Sequence, residues 1–212
     1  SNENLAGLRT MVQELVTEQV DSFIEKGKID LVPTILWEVP LVTALKFLGV
    51  PEDDIAELQK FGVAHKVNTW GRPTGEEQIK VATAVGKFWH YSGKVLERMK
   101  QNPEGKGWMY DTIRKNRENP EVVTDSYLHS MMMAILVAAH ETTSTASANA
   151  IIQLLSSPNN LWKKLHDNPE LIPGAVEECL RYKGPIVAWR REATEDTEVS
   201  GVKIAKGDKL FL

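Results

Sequence analysis

The strongest chemical signal in the sequence is a polar run inside an otherwise apolar segment. Residues 131–139 are apolar throughout, which for a helix predicts burial on every side. They lead directly into His140-Glu141-Thr142-Thr143-Ser144-Thr145. A carboxylate in a buried helix is costly unless it is paired or hydrated. The run therefore predicts a polar notch facing a cavity. The alternative is that the hydroxyls bond to carbonyls one turn back while Glu141 reaches solvent.

Residue spacing excludes three other chemistries for this run. A zinc-protease helix needs a second histidine four residues after His140, and position 144 is serine. A di-iron helix bundle needs Glu-x-x-His pairs, and no glutamate of the sequence is followed three residues later by histidine. The sequence also has no G-x-x-x-x-G-K loop, so nucleotide hydrolysis has no motif to rest on.

Two further candidate segments follow the polar run. Glu178 and Arg181 are three residues apart, so on a helix their side chains can pair, although most pairs of this kind are exposed and contribute little. The segment Arg191-Glu192-Ala193-Thr194-Glu195-Asp196 comes next, and Gly201 and Lys206-Gly207-Asp208 follow it. The order of these segments is more specific than any one of them alone.

The elements that position these residues are predicted to be mainly helical. The apolar residues of segment 5–23 recur at helical spacing, and Gly27 supplies a stop. Further helical stretches are predicted at residues 33–49, from residue 51, and at residues 76–101 and 108–117. Residues 125–157 contain no proline, which allows a helix of roughly 48 Å at about 1.5 Å per residue.

The end of the chain has a different pattern. Prolines at 158, 169 and 173 punctuate two more helices. Beyond Gly184-Pro185, short strand-like runs are separated by turn residues. We therefore expect a mainly α fold with minor β, with one long central helix and a small sheet near the C-terminus.

Composition narrows the range of functions. A net charge of -4 without long basic runs predicts no nucleic-acid or lipid-surface partner. The single cysteine, Cys179, allows neither an internal disulfide framework nor a cysteine-rich metal site. The longest apolar stretch has nine residues, well short of the ~20 needed to span a bilayer, and no signal-peptide pattern is present. These features predict a cytoplasmic location.

The succession of segments resembles the cytochrome P-450 family. It comprises Ala-Ala-His-Glu-Thr-Thr at 138–143, Glu-x-x-Arg at 178–181 and Arg-x-Ala-Thr-Glu-Asp at 191–196. The resemblance extends over essentially all 212 residues, and segment 68–73 is most similar to the self-sufficient, reductase-fused and thiocarbamate-oxidising bacterial groups. It implies that residues 1–212 are the central part of a P-450 domain. The N-terminal sheet and helices and the C-terminal cysteine loop that binds the haem are expected to be missing.

The resemblance implies roles for four residues of the long helix. Glu141 and Thr142 match the acid–alcohol pair that supplies protons to dioxygen at the haem, which requires a hydroxyl relayed by a carboxylate and water. Ala138 and Ala139 match small residues that allow dioxygen and substrate to approach the helix beside the cofactor. Many relatives have glycine where this chain has Ala139, so the groove is expected to be tighter here.

Four residues after the long helix also take implied roles. Arg191 matches the arginine that pairs with a haem propionate, a role suited to a planar fork of donors. Glu178 and Arg181 match the structural pair behind the haem and are not catalytic. Cys179 lies within a helix, so it is interpreted as a small core residue, and no metal ligand is assigned in this chain.

By this resemblance, the parent protein is a haem-thiolate monooxygenase with haem b. It inserts one oxygen atom of O2 into a small hydrophobic substrate. Electrons come from NAD(P)H through a reductase carrying flavin and iron–sulfur centres, either fused or separate. The 212-residue chain alone is expected to be inactive, to lack haem or ligate it wrongly, and to self-associate in a non-native way through uncovered apolar surface. The alternative is a helical binding or scaffold module without haem.

Overall fold

The computed structural model describes residues 2–59 and 73–212. The helices are α1 (Asn2–Asp21), α2 (Glu38–Leu48), α3 (Glu52–Gln59), α4 (Gly75–Gln101), α5 (Trp108–Glu118), α6 (Asp125–Ser156), α7 (Leu161–Asp167) and α8 (Ile172–Tyr182). The strands are β1 (Arg190–Glu192), β2 (Thr197–Val199), β3 (Val202–Ile204) and β4 (Lys209–Phe211). Short 3₁₀ turns lie at Ile24–Lys26 and Pro169–Leu171, and a π-helical turn lies at Val32–Leu36. The expectation of a mainly α fold with minor β is confirmed.

The end of α2 shows why glycine is required at one helix stop. Gly49 has φ 82°, in the left-handed region, and its N–H donates to the carbonyls of Leu45 and Lys46 at 3.1 and 3.0 Å. A Cβ at this position would lie 2.2 Å from the carbonyl oxygen of Lys106. Both the backbone conformation and the close approach of the loop before α5 therefore exclude a side chain at residue 49.

The start of α4 is capped by local side chains. Thr74 Oγ1 accepts a hydrogen bond from the backbone N–H of Glu77 at 3.3 Å, and Glu77 Oε2 accepts one from the backbone N–H of Thr74 at 2.8 Å. This reciprocal pair satisfies two backbone donors that the first helical turn would otherwise leave without partners. The Thr-x-x-Glu spacing thus places the helix start at Gly75, next to the predicted start at residue 76.

The chain divides into two compact units, Ser1–Thr145 and Ala146–Leu212. The first unit contains a continuous apolar core built from α2 to α6. Its buried members are Leu41, Ala44, Leu45, Leu48, Val50, Ile55, Leu58, Phe88, Val95, Leu96, Met99, Met109, Ile113, Leu128, Met132, Met133 and Leu136. Burial of apolar side chains is the main favourable term in folding, so this core accounts for the arrangement of the helices.

The second unit consists of the end of α6, helices α7 and α8, and the four strands. The predicted small sheet is present as two separate antiparallel ladders of two strands each. One ladder pairs β1 with β4, with Arg191 opposite Leu210, and the other pairs β2 with β3, with Glu198 opposite Lys203. The second ladder turns through Ser200 and Gly201, both with positive φ.

The predicted long helix is confirmed as α6, which runs for 32 residues without interruption. Within segment 68–73, which resembled the reductase-fused groups, residues 68–72 lie outside the described residues. Among the helices that the structure describes, none combines the length and the apolar character needed to cross a membrane.

Candidate functional site

The polar run lies in the middle of α6, and its hydroxyls are bonded within the helix. Thr142 Oγ1, Thr143 Oγ1 and Ser144 Oγ each donate to the carbonyl four residues earlier, at 2.6, 2.8 and 2.9 Å. The bonding one turn back that the sequence allowed is thus found for all three. Glu141 is half-buried rather than fully in solvent. A hydroxyl that donates inward still has lone pairs with which to accept, so back-bonding does not remove Thr142 from proton transfer.

His140 joins this part of α6 to Trp37, the residue that precedes α2. Only 1 % of the residue is exposed, and its Nε2 lies 3.0 Å from the carbonyl oxygen of Trp37. A carbonyl can only accept, so Nε2 carries the hydrogen and donates it. The two rings also meet edge to face, with centroids 4.0 Å apart and planes inclined by 67°. His140 therefore contacts Trp37 through both a hydrogen bond and a ring contact.

The opposite side of α6 is open. Leu136, His140 and Ser144, spaced four residues apart, are buried, whereas Ala134 and Ala138 are exposed. The prediction that residues 131–139 are buried on every side is therefore wrong. The physical reason is that an alanine methyl carries little apolar area, so a helix leaves it exposed at small cost. At about 100° per residue, Ala138 and Thr142 each lie roughly 160° around the helix from His140.

Arg191 lies on β1 with an exposed side chain. Its guanidinium carbon is 5.5 Å from the ring centroid of Trp189, and its Nη1 donates to the carbonyl of Arg190 at 2.8 Å. A guanidinium has five donors in a planar fork, so these contacts leave donors with which to bind a carboxylate. In the same ladder, Arg190 lies over the ring of Phe211 at 5.7 Å.

Glu178 and Arg181 form the predicted pair on one turn of α8. Arg181 Nε donates to Glu178 Oε2 at 2.7 Å, and Arg181 Nη2 donates to Oε1 at 2.6 Å. The hydrogen bonds lower the pKa of Glu178 and raise the pKa of Arg181. Both side chains are exposed, by 61 % and 69 %, so solvent screens the pair in this chain. Cys179, between them in sequence, is buried as interpreted.

Sequence reasoning missed the residues that hold the helices of the first unit together. Trp37 and His140 are 103 positions apart, and nothing local marks Trp37 as a partner. Ser92 and His129, 37 positions apart, are both polar and join α4 to α6 at 2.9 Å. The buried Asp54 of α3 accepts hydrogen bonds from α4, one of them from the hydroxyl of Tyr91 at 2.7 Å. These contacts depend on which helices become neighbours, and no short spacing in the sequence reports that.

The first unit also has a groove of about 690 Å³ at the start of α6. It is lined by Trp89, Lys94, Glu97, Asp125 and His129, among others, and by none of the residues assigned from the sequence. Its mixed charges and open shape do not match the small-residue face at Ala138. Within the described residues, no three or more His, Cys, Asp or Glu side chains are grouped so as to hold a metal ion.

Comparison with known proteins decides the family. The family model for cytochrome P450 matches residues 80–212, which include all the residues assigned above. The chain belongs to the cytochrome P450 family. The P450 match covers the helix with the polar run, the Glu178–Arg181 turn and the strand that carries Arg191.

Solved P450 structures resemble this chain along its whole length. The CYP116B5 haem domain of Acinetobacter radioresistens is 66% identical, with a TM-score of 0.90, over 100% of this chain and 51% of that chain. An intact type IV self-sufficient cytochrome P450 monooxygenase is 55% identical, with a TM-score of 0.92, over 98% of this chain and 27% of that chain. The expected likeness to self-sufficient P450s is confirmed.

Curated P450 sequences are more distant. Cytochrome P450 monooxygenase PikC of Streptomyces venezuelae is 32% identical over 208 residues, which are 97% of this chain and 48% of PikC. The chain thus spans about half the length of the curated relatives it matches.

Each of the two units, taken by itself, offers groups of a kind that the periphery of a haem requires. The open face at Ala134 and Ala138 offers only methyl groups, which permit a flat ring system to approach the helix. Arg191 offers exposed donors of the geometry that a propionate requires. The single thiol of the sequence, Cys179, is buried within α8.

Proposed function

We propose that this chain is the central part of a haem-thiolate monooxygenase that inserts one oxygen atom of O2 into a small hydrophobic substrate. The observation that carries the proposal is the two-sided construction of α6. One side is packed through His140, and the other presents Ala138 and Thr142 beside Glu141. An exposed small residue, a hydroxyl and a carboxylate within one turn provide space for a flat cofactor and a route for protons.

Each residue of this turn has a distinct proposed task. Bound haem b supplies the activation of dioxygen, and we propose that a cysteine outside these 212 residues ligates its iron. Thr142 Oγ1 holds the proton nearest the reaction and donates it outward in exchange for its bond to the carbonyl of Ala138. Glu141, which is half-buried, replenishes that proton through water. Because the carboxylate and the hydroxyl relay the proton, little water is needed in the pocket. Exposed Ala138 leaves space on the helix surface for the cofactor. Ala139, proposed for the same role, is half-buried and also packs against the first unit's core.

Residues of the second unit are proposed to hold the cofactor and its scaffold. Arg191 would bind a haem propionate through its planar fork, and the Trp189 ring, 5.5 Å from the guanidinium carbon, would help to hold the guanidinium in place. Glu178 and Arg181 are proposed to brace the scaffold behind the haem through their two parallel hydrogen bonds. These roles account for the residue types at each position without assigning catalysis to them.

The electron donor is proposed to be an NAD(P)H-dependent reductase with flavin and iron–sulfur centres. Support comes from the 55% identity to an intact P450 that is described as self-sufficient. A cytoplasmic location is proposed on the sequence pattern. The alternative, a scaffold module without haem, predicts that the longer protein containing this chain takes up no haem, which absorption spectra of the purified protein would show.

The test of the proposed proton route is Thr142→Ala in the haem-loaded protein. We expect haem content and substrate binding to stay near normal, because the change removes two side-chain atoms at a half-buried position and leaves the helix backbone unchanged. Product formed per nicotinamide oxidised should fall at least about tenfold, in line with the usual contribution of a positioned proton donor, while peroxide rises.

Thr143→Ala is the matched control. Thr143 makes the same bond one turn back and is exposed, but it lies about 100° further around the helix. We expect it to leave the yield of product per nicotinamide near normal. Equal yields from Thr142→Ala and the unmodified protein would show that Thr142 does not carry the proton.

A further inference from the structure

We infer that His140 is a positioning residue that sets the rotation of α6, so that Ala138 and Thr142 stay on the open face of the helix. This inference rests on the proposed function, because it concerns the turn to which proton transfer is assigned. It goes beyond that function by naming the contact that orients the helical turn containing Ala138 and Thr142. The contact is made with Trp37, at the junction between the π-helical turn and α2.

The geometry of α6 gives His140 this influence. Ala138 and Thr142 are each two residues from His140, which at about 100° per residue places both roughly 160° around the helix. A rotation of α6 that moved His140 out of its site would therefore turn Thr142 away from the open face by the same angle. Ser144, one turn later, is also buried, and its hydroxyl is bonded back to the His140 carbonyl at 2.9 Å. The buried side is thus defined on two successive turns.

Trp37 is itself held in place by its backbone. Its N–H donates to the carbonyl of Val32 at 2.9 Å, five residues back, which closes the π-helical turn. Its carbonyl accepts the hydrogen from His140 Nε2 at 3.0 Å. The preceding residue, Leu36, is buried, so an apolar side chain also packs this junction. A partner that is fixed on both sides can hold a helix at one rotation, whereas a mobile side chain could not.

A second histidine contact on α6 is similar in kind but lies farther from Thr142. His129, also on α6, has Nε2 at 2.9 Å from the carbonyl of Trp89, and the two rings lie 3.6 Å apart. It precedes His140 by 11 residues, so it lies on nearly the same side of α6 but about 16 Å along the axis. Its Nε2–carbonyl contact is of the same kind as that of His140, although Nε2 also lies 2.9 Å from Ser92 Oγ and the residue is half-buried. Its distance from Thr142 is about three turns greater.

The first measurement uses the haem-loaded protein and amide hydrogen exchange. In His140→Phe the ring contact is kept and the donor is lost, so amides of residues 138–146 should exchange roughly three- to tenfold faster. His140→Gln places an amide N–H near the position of Nε2 and should restore slow exchange. His129→Phe should accelerate exchange near residue 129 and leave residues 138–146 unchanged. Equal exchange of residues 138–146 in His140→Phe and the unmodified chain would overturn the inference.

A second measurement needs no substitution, so it stands if His140→Phe does not fold. Histidine labelled with ¹⁵N reports which ring nitrogen carries the proton. The contact with the Trp37 carbonyl requires the Nε2–H form of His140. An imidazole of His140 protonated at Nδ1 alone would overturn the inference.

The third measurement separates positioning from general support and uses the haem-loaded protein. His140→Phe should lower product per nicotinamide at least about threefold with unchanged haem content, because small misplacements of a reacting group are costly. His140→Gln should recover most of that loss, and His129→Phe should show none. If Thr142→Ala lowers this yield and His140→Phe does not, the inference fails while the proposed function stands. If Thr142→Ala also has no effect, the proposed proton route fails, and hydrogen exchange decides whether His140 holds the helix.

Discussion

The two compact units of the chain differ sharply in how they bury apolar surface. The first unit, Ser1–Thr145, has a continuous core in which Leu45, Leu48 and Leu128 are fully buried. In the second unit, Ala146–Leu212, Cys179 is the only buried residue. Since apolar burial is the main stabilising term, the free energy of unfolding is expected to reside mainly in the first unit.

The second unit instead presents its apolar side chains. Ile172, Val176 and Leu180, spaced four residues apart on α8, are 46 %, 49 % and 42 % exposed. This spacing defines one apolar stripe on a helix, the pattern of a surface that normally packs against another element. The comparison shows that regular helices form in both units, whereas a continuous apolar core forms only in the first. The predicted self-association of the chain is consistent with this stripe and stays a prediction.

The largest expected change in the free energy of unfolding comes from truncating a buried leucine of the first unit. Leu48→Ala leaves a cavity in the first unit and should lower the free energy of unfolding by about 2–5 kcal/mol. Leu180→Ala, the matched change in the second unit, should alter it by less than about 0.5 kcal/mol, because the side chain is already partly exposed. Urea unfolding followed by circular dichroism measures both. Equal losses would show that the second unit contributes to the cooperative core.

A smaller effect is expected from the buried carboxylate. Asp54→Asn weakens the bonds that Asp54 accepts from Tyr91 and Arg98, and should cost about 1–3 kcal/mol. The Arg98 part of this loss should be small, because its side chain is 51 % exposed and the ion pair is screened. Glu178→Gln is the control in the second unit. Its exposed pair should leave the unfolding midpoint unchanged, and a clear shift would mean that α8 is stabilised by this pair.

The same contact gives a pH dependence with a definite sign. The hydrogen bond to Asp54, followed by burial, raises the pKa of Tyr91. A raised folded-state pKa favours the neutral phenol in the folded chain, so this stabilisation is present below the unfolded pKa of about 10. It is lost as pH rises through the folded pKa. Tyr91→Phe should remove this alkaline loss, and unfolding midpoints measured across the alkaline range would show whether it does.

The smallest expected effect is on association. Val176→Ser in the apolar stripe of α8 should weaken self-association of the 212-residue chain by up to about tenfold, the effect of removing one partly exposed apolar side chain. Sedimentation velocity over a concentration series measures the shift. The control, Val122→Ser, changes an exposed valine of the first unit. If the control weakens association equally, the contact surface is not specific to the second unit.

The sequence by itself was sufficient to predict the main helices and to identify the family. The predicted helix end at Gly49 is confirmed, and the predicted start at residue 76 is one residue from the observed start at Gly75, because capping effects act within one turn. The long helix followed from the lack of proline between residues 125 and 157. The proposed site residues Glu141, Thr142 and Arg191 rest on short motifs, since motif spacing is local, and their roles stay predictions.

Only the tertiary structure decided which side of each helix is packed and what packs against it. Residues 131–139 gave no sign that Ala138 is exposed, because an all-apolar segment has no polar face to mark its open side. The contacts of His140 with Trp37 and of Asp54 with Tyr91 join residues 103 and 37 positions apart. Such pairs form only after helices from distant parts of the chain become neighbours, so no local pattern encodes them. We propose that the orientation of the Thr142 turn depends on one of these pairs, His140 with Trp37.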